Sequence, residues 1–256
     1  VRTDTPDKLS VTGKLLSVLL AFSAERPELT LTEIAQRAGL ALTTAHRLIG
    51  ELTSFGALER DASGRYRIGL RLWEVASLAP RGLGLRERAM PFMEDLYEIT
   101  RENVQLAVRE DLEVVFVERI AGRHAVSVRT RVGGRFPMHA TGVGLVLLAY
   151  APAEVQEQAL AAPLRRFTEK TISTANELRE TLDLVRRNGF ALSNGQVTLD
   201  AISVAAPVFG PDTTVVAALS LVVRAEGAQP MALAPAVQAA ARGLSRVLAT
   251  ITPASG

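Results

Sequence analysis

The chain has 256 residues, 48% of them hydrophobic, which suffices for one large or two ordinary buried cores. A formal net charge of +2 excludes a polycation that holds nucleic acid by bulk charge, so any such binding rests on where arginines are placed. The absence of cysteine excludes disulfides, thiolate metal sites and cysteine nucleophiles.

The first ten residues, VRTDTPDKLS, are polar and lack the apolar core of a signal peptide. A first helix is expected from about Thr12 to Ser23, with Leu15, Leu19 and Phe22 on one face. The second begins after Thr30. Thr30 and Glu33 have the spacing of a capping box, in which the hydroxyl and the carboxylate each satisfy a backbone N–H of the first turn. Leu31, Ile34, Ala35 and Ala38 then repeat with helical period, and Gly39 supplies a tight turn. The third helix runs from near Thr43 to near Gly56. Its apolar face is Ala45, Leu48, Ile49 and Leu52; its opposite face is Thr43, Thr44, His46, Arg47 and Gly50. A short hairpin follows, with Leu58, Arg60 and Arg65 to Ile68 flanking the turn DASG. A further helix is expected over Leu70 to Ala79, stopped by Pro80 and Gly82, where the domain boundary falls.

Beyond that point the pattern is mixed. A helix is expected from about Leu85 to Thr100, then strands at VQLAVRE, EVVFVERI and AVSVRT. The loop RVGGRFPMHATG leads into the apolar stretch Gly142 to Ala151, which is too short to span a bilayer. Helices near Ala153 to Leu160 and Asn176 to Asn188 precede strands at FALSNG, AISVAAPVF and VVAALSLVV. A last helix covers about Ala232 to Ala249. Strands interrupted by helices of uneven length suggest an antiparallel sheet flanked by helices.

Two helices around a glycine turn, followed by a basic hairpin, are the order of a winged helix-turn-helix. The bland alternative is an αα-hairpin buried in a core. The outward face of the third helix favours DNA, because it carries hydroxyls, a histidine and an arginine in place of a solvated Glu/Lys mixture. Arginine pairs with guanine O6 and N7, and threonine meets a base edge or a thymine methyl. Thr43, Thr44, His46 and Arg47 are therefore the candidate groove contacts, with a solvated arginine as the alternative for Arg47. Arg65 and Arg67 are the candidate wing contacts, with Tyr66 turned inward.

The three histidines, His46, His124 and His139, lack ligand spacing, so no metal is expected. No nucleophile motif, zincin motif or phosphate loop is present, and Gly82–Gly84 and Gly142–Gly144 lack the context of a dinucleotide loop. No catalytic residue and no cofactor is assigned. Thr141 and Gly142 stand at the start of an apolar helix, where free N–H groups suit a carboxylate or carbonyl. The equal alternative is a core helix capped by Thr141.

With these residues in view, the chain resembles an IclR-family transcriptional regulator along nearly its whole length. The stretch LTLTEIAQRAGLALTTAHRLIGELTSFGALERDASGRYRIGLRL is similar to the family's N-terminal domain and linker helix. RTRVGGRFPMHATGVGLVLLA resembles its effector loop, and NGFALSNGQVTLDAISVAAPVFGPDTTVVAALSLVV its C-terminal sheet. The resemblance implies an α+β protein of two domains. Residues 1–69 form a winged helix-turn-helix, 70–82 a linker helix, and 83–256 a GAF-like α/β effector-binding domain with an antiparallel sheet. It implies a cytoplasmic homodimer or homotetramer on a palindromic double-stranded DNA operator, gated by a small organic or aromatic acid and without membrane contact. It places the effector against Met138, Ala140, Thr141, Gly142 and Leu145 on one side and Ser193, Asn194 and Ser203 on the other. Ser203 stands where relatives carry cysteine, Asp200 where many carry glycine, and Leu145 where a lysine is common. Gating by a protein partner, or an enzyme carrying a DNA-binding module, are the alternatives.

Overall fold

The computed structural model describes residues 9–250 apart from 24 and 80–82, so the expected stop signals at Pro80 and Gly82 lie outside the described residues. The chain forms two compact units, one covering 1–79 and the other 80–256.

The first unit opens with α1 (Val11–Leu19), capped by Ser10 and shorter than the apolar pattern suggested. A two-residue strand, β1 (Glu28–Leu29), precedes α2 (Leu31–Ala38). The capping box forms as the sequence dictates: Thr30 Oγ1 accepts from the Glu33 N–H at 3.3 Å, and Glu33 Oε2 accepts from the Thr30 N–H at 2.8 Å. Such a cap stabilises a helix by about 1 kcal/mol. Gly39 ends α2 in the left-handed region, with φ 66°, and turns the chain into α3 (Leu42–Phe55). β2 (Leu58–Arg60) and β3 (Tyr66–Ile68) form the hairpin, and β1 adds to β3, giving the order β1-β3-β2. Leu29, Ile34, Leu48, Ile49 and Leu58 are fully buried and hold the three helices to this sheet. α4 (Leu70–Ala76) ends one turn before the periodicity does.

The second unit contains α5 (Leu83–Thr100), β4 (Asn103–Glu110), β5 (Glu113–Ile120) and β6 (Arg135–Pro137). A single 3-10 turn at Met138–Ala140 leads into α6 (Gly142–Ala149), followed by α7 (Ala153–Ala161) and α8 (Ala175–Asn188). β7 (Ala191–Asn194), β8 (Ala201–Phe209), β9 (Val215–Arg224) and α9 (Pro230–Ala249) complete it. The six strands pair antiparallel in the order β6-β5-β4-β9-β8-β7.

Strand alternation divides the core. Val104, Leu106, Val204, Leu219 and Leu221 pack with α5 and α9, whereas Ala107, Ala205 and Ala218 pack with α6 and α8. Both faces are covered, which is why these strands read as nearly continuous apolar runs. The expected strand AVSVRT does not pair into the sheet. Side chains take its carbonyls instead: Asn103 Nδ2 donates to Val126 O at 2.9 Å, and Arg119 Nη1 donates to Thr130 O at 3.2 Å. The free edge of β5 is occupied by β6 at residues 113–115, so this segment crosses in an extended path without a ladder.

Candidate DNA-binding face and ligand cavity

Helix α3 turns Ala45, Leu48, Ile49 and Leu52 inward. The remaining face carries Thr43, His46, Arg47 and Gly50 exposed, with Thr44 half-buried beside them. Gly50 has no neighbouring atom within 4 Å of a notional Cβ, so this face is smooth enough for close approach. Arg47 is tethered one turn along the helix, where its Nη1 donates to Glu51 Oε1 at 2.5 Å.

The wing is less simple than its composition. Arg65 folds back across the domain: its Nη2 donates to Glu28 O at 2.9 Å and lies 3.4 Å from Glu33 Oε2. Arg67 pairs across the strands with Glu59, at 3.0 Å and 2.8 Å to the same oxygen. That contact holds the Glu59 carboxyl below its ordinary pKa. Arg60 is different. It lies opposite Tyr66 in the ladder, its guanidinium sits 5.4 Å from the Tyr66 ring centroid, and the guanidinium's one hydrogen bond among the described residues is a 3.4 Å contact to Gly64 O. Among the described residues no carboxylate pairs with it.

In the second unit a partly open cavity, about 420 Å³ when the space open to solvent is included, lies beneath the start of α6. Ala140, Thr141, Gly142, Ser193 and Ser203, which the family resemblance places at the effector, are among the residues that line it. The two readings of Thr141 prove compatible: its Oγ1 accepts from the Gly144 N–H at 3.1 Å, and the residue also lines the cavity. Gly142 and Val143 occupy the first turn, where N–H groups have no acceptor within the helix. A Cβ on Gly142 would lie 2.7 Å from Ser203 Oγ, so glycine is what lets the helix approach β8.

Met138, Leu145 and Asn194 do not line the cavity. Met138 and Leu145 are buried in the apolar cluster shared with α8, and Asn194 is exposed because alternation along β7 turns Ser193 in and Asn194 out. The residues missed from sequence come from the sheet floor and the crossing segment: Gln105, Phe116, Val128, Thr130 and Val222, with Val197 and Thr198 at the far wall. A glutamine inside VQLAV, in a strand buried on both faces, was the legible signal for Gln105.

The polar wall is organised. Gln105 Nε2 donates to Thr130 Oγ1 at 2.6 Å, and Arg119 Nη1 donates to the Thr130 carbonyl from behind. Ser220, opposite Gln105 in the ladder, buries a hydroxyl without a hydrogen-bond partner among the described residues. No residue lining the cavity carries a charge. His139 lies outside it and ties the 3-10 turn to the next loop, with Nε2 3.0 Å from Arg165 O; burial holds its pKa below the ordinary value.

A winged helix-turn-helix unit joined to an α/β unit with its own cavity is the build of a DNA-binding transcriptional regulator. Residues 11–62 match the IclR helix-turn-helix domain, and residues 79–246 match the bacterial transcriptional regulator IclR C-terminal domain. The chain belongs to the IclR family of transcriptional regulators. It is 30% identical to the transcriptional regulator XynR of Escherichia coli, over 92% of this chain and 95% of that protein. It is also 30% identical to the p-hydroxybenzoate hydroxylase transcriptional activator of Acinetobacter baylyi, over 90% of this chain and 86% of that protein. Its fold is similar to an IclR homologue of Microbacterium hydrocarbonoxydans crystallised with 4-hydroxybenzoate, with a TM-score of 0.89, 38% identity and coverage of 93% and 99% of the two chains. No helix among the described residues is long and apolar enough to cross a membrane.

Proposed function

We propose that this regulator reads its operator through α3 and the wing, and that a small organic acid in the cavity beneath α6 sets its operator affinity. Thr43, Thr44, His46 and Arg47 enter the major groove; the wing adds phosphate contact. The acid's carboxylate meets the N–H groups at the start of α6, and a hydroxyl or carbonyl elsewhere on the ligand meets Ser193, Ser203 and Thr130.

The observation that carries this reading is the lining of the cavity. It is apolar on Phe116, Val128 and Val222 and polar without charge on Gln105, Thr130, Ser193 and Ser203. Each buried hydroxyl left unpaired costs about 1–3 kcal/mol, so such a wall favours a ligand that brings neutral polar groups of its own. The 4-hydroxybenzoate held by the Microbacterium relative combines a carboxylate, a ring and a hydroxyl, and it is the first probe to use. Calorimetry of the full chain with 4-hydroxybenzoate, followed by a panel of small hydroxy and oxo acids, tests the proposal. Ser203→Ala and Thr141→Ala should each weaken binding while leaving ligand-free DNA affinity close to wild type. Unchanged affinity for a bound acid in both variants would place the ligand elsewhere.

A further inference from the structure

A second, partly open cavity, about 430 Å³ when the space open to solvent is included, lies at the opposite end of α6 from the first. Tyr150, the C-cap of α6, lines it together with Pro207 and Phe209 of β8 and Gln238 and Arg242 of α9. The Tyr150 and Phe209 rings stand edge to face, with centroids 5.8 Å apart. Phe209 is fixed from behind, because its N–H donates to Ser245 Oγ at 2.9 Å. The walls are therefore a proline and two set aromatic rings, which suit a flat apolar body.

Among the described residues the Arg242 guanidinium at this cavity has no hydrogen-bond or ionic partner, and the Tyr150 hydroxyl has no hydrogen bond, feeling only the charge of Arg186. Burial holds the Tyr150 phenol above its ordinary pKa, so it remains a donor at neutral pH. A guanidinium and a phenol O–H converging on one space are donors without an acceptor. Carboxylate supplies acceptor oxygens for both.

We propose that this cavity binds a small monocarboxylate with a flat apolar body, separately from any ligand beneath the start of α6. The opposing electrostatics are weaker. Helices α6 and α8 both end near the cavity, and each carries about half a negative charge at its C-terminus. Their last carbonyls are already answered, however. Ala149 O accepts from Arg186 at 3.1 Å, and Asn188 O and Gly189 O accept from Gln238 Nε2 at 3.2 and 3.3 Å. Among the described residues the Arg242 charge has no partner, whereas Arg186, which acts against the burial of Tyr150, is itself paired with Asp183. Arg242 is the one charged side chain among the described residues that line the cavity.

The test is a 19F NMR titration of the full chain with 4-fluorobenzoate. It compares wild type with Arg242→Gln, Tyr150→Phe and, to fill the first cavity, Ser203→Leu, each checked for native circular dichroism. A bound resonance is expected that survives Ser203→Leu. Arg242→Gln should weaken it at least about tenfold and Tyr150→Phe about fivefold, as expected for losing a charge-assisted and a neutral hydrogen bond. Arg242 is exposed, so its replacement should leave the fold intact. The proposal is overturned if no bound resonance appears at millimolar ligand, or if every bound resonance disappears in Ser203→Leu and none responds to Arg242→Gln. If Arg242→Gln removes binding and Ser203→Leu changes nothing, the second site stands, and the first cavity does not take this acid.

Discussion

Three arginines stand on the wing, and the structure separates them. Arg65 and Arg67 have carboxylate partners at 3.4 Å and 2.8 Å, whereas Arg60 at the turn has none among the described residues. A cation already answered by a carboxylate must give up that partner before it neutralises a phosphate, so Arg60 is the wing residue best placed to bind the DNA backbone. Each phosphate contact contributes about 0.9 to the slope of log affinity against log salt on B-DNA. Arg60→Ala should flatten that slope by about 0.9 per bound subunit, making binding about 3.5-fold less salt-sensitive per subunit between roughly 50 and 200 mM. The loss should be equal on operator and random duplex, since phosphate carries no sequence information. Arg65→Ala removes an ion pair whose side chains are 38% and 34% exposed, which costs about 0–1 kcal/mol of stability and leaves the slope unchanged. Fluorescence anisotropy of a labelled duplex over that salt range measures both variants. The reasoning fails if Arg65→Ala or Arg67→Ala flattens the slope and Arg60→Ala does not.

Other outcomes follow from particular contacts. Arg47→Ala should weaken operator binding by about 1–3 kcal/mol if Arg47 reads a base pair with both nitrogens; Glu51→Gln, which releases Arg47 and removes a charge that repels phosphate, should tighten it, and an operator titration showing neither change would remove Arg47 from the groove. Leu70, Trp73, Val75 and Leu78 are exposed in and just after α4, so the chain is expected to pair through this face and Trp73→Glu to weaken the pairing; sedimentation of the wild type as a monomer at micromolar concentration would refute this. Glu102 buries an oxygen without a hydrogen-bond partner among the described residues, and burial raises its pKa from the ordinary 4.5 against the smaller pull of Arg224. The folded chain therefore holds more protons than the unfolded chain just above that value, and stability falls as pH rises through the window. Glu102→Gln should stabilise the protein more at pH 7 than at pH 4, and a gain equal at both, by thermal unfolding, would contradict this assignment.

Local chemistry made the first unit legible. A capping box, two glycines able to adopt positive φ and a 3.6-residue apolar period each act over a few residues, and they agree with one another. The two-residue β1 escaped notice because nothing local distinguishes Glu28–Leu29 from a loop; its existence depends on β3 lying alongside. The alternation in AVSVRT misled for the converse reason. Alternation states that side chains face opposite ways, and the segment keeps that property: Val126 and Val128 pack together against Ala201 and Val222. A strand also needs a free backbone edge, and whether one exists is decided some distance away in the chain.

The same distinction explains the cavity. Its upper wall, Ala140 to Gly142, is one short contiguous stretch, so a single motif exposed it. Its floor is drawn from four strands: Val222, Ser203 and Ser193 stand abreast on β9, β8 and β7, and Gln105 of β4 lines it two residues on from Asn103, the ladder partner of Val222. The lining positions are up to 117 residues apart in the chain, from Gln105 to Val222, and no local pattern joins them. Only the pairing register does, and register also decides which neighbour faces in: Ser193 enters the cavity and Asn194 does not. Ligand choice in such a site belongs to the sheet more than to the loop. The loop offers backbone N–H groups that any acid could use, whereas Gln105, Thr130, Ser193 and Ser203 offer a fixed set of polar atoms that the ligand must match or leave unpaired. Acids that bind alike at the start of α6 should therefore be sorted by the opposite wall.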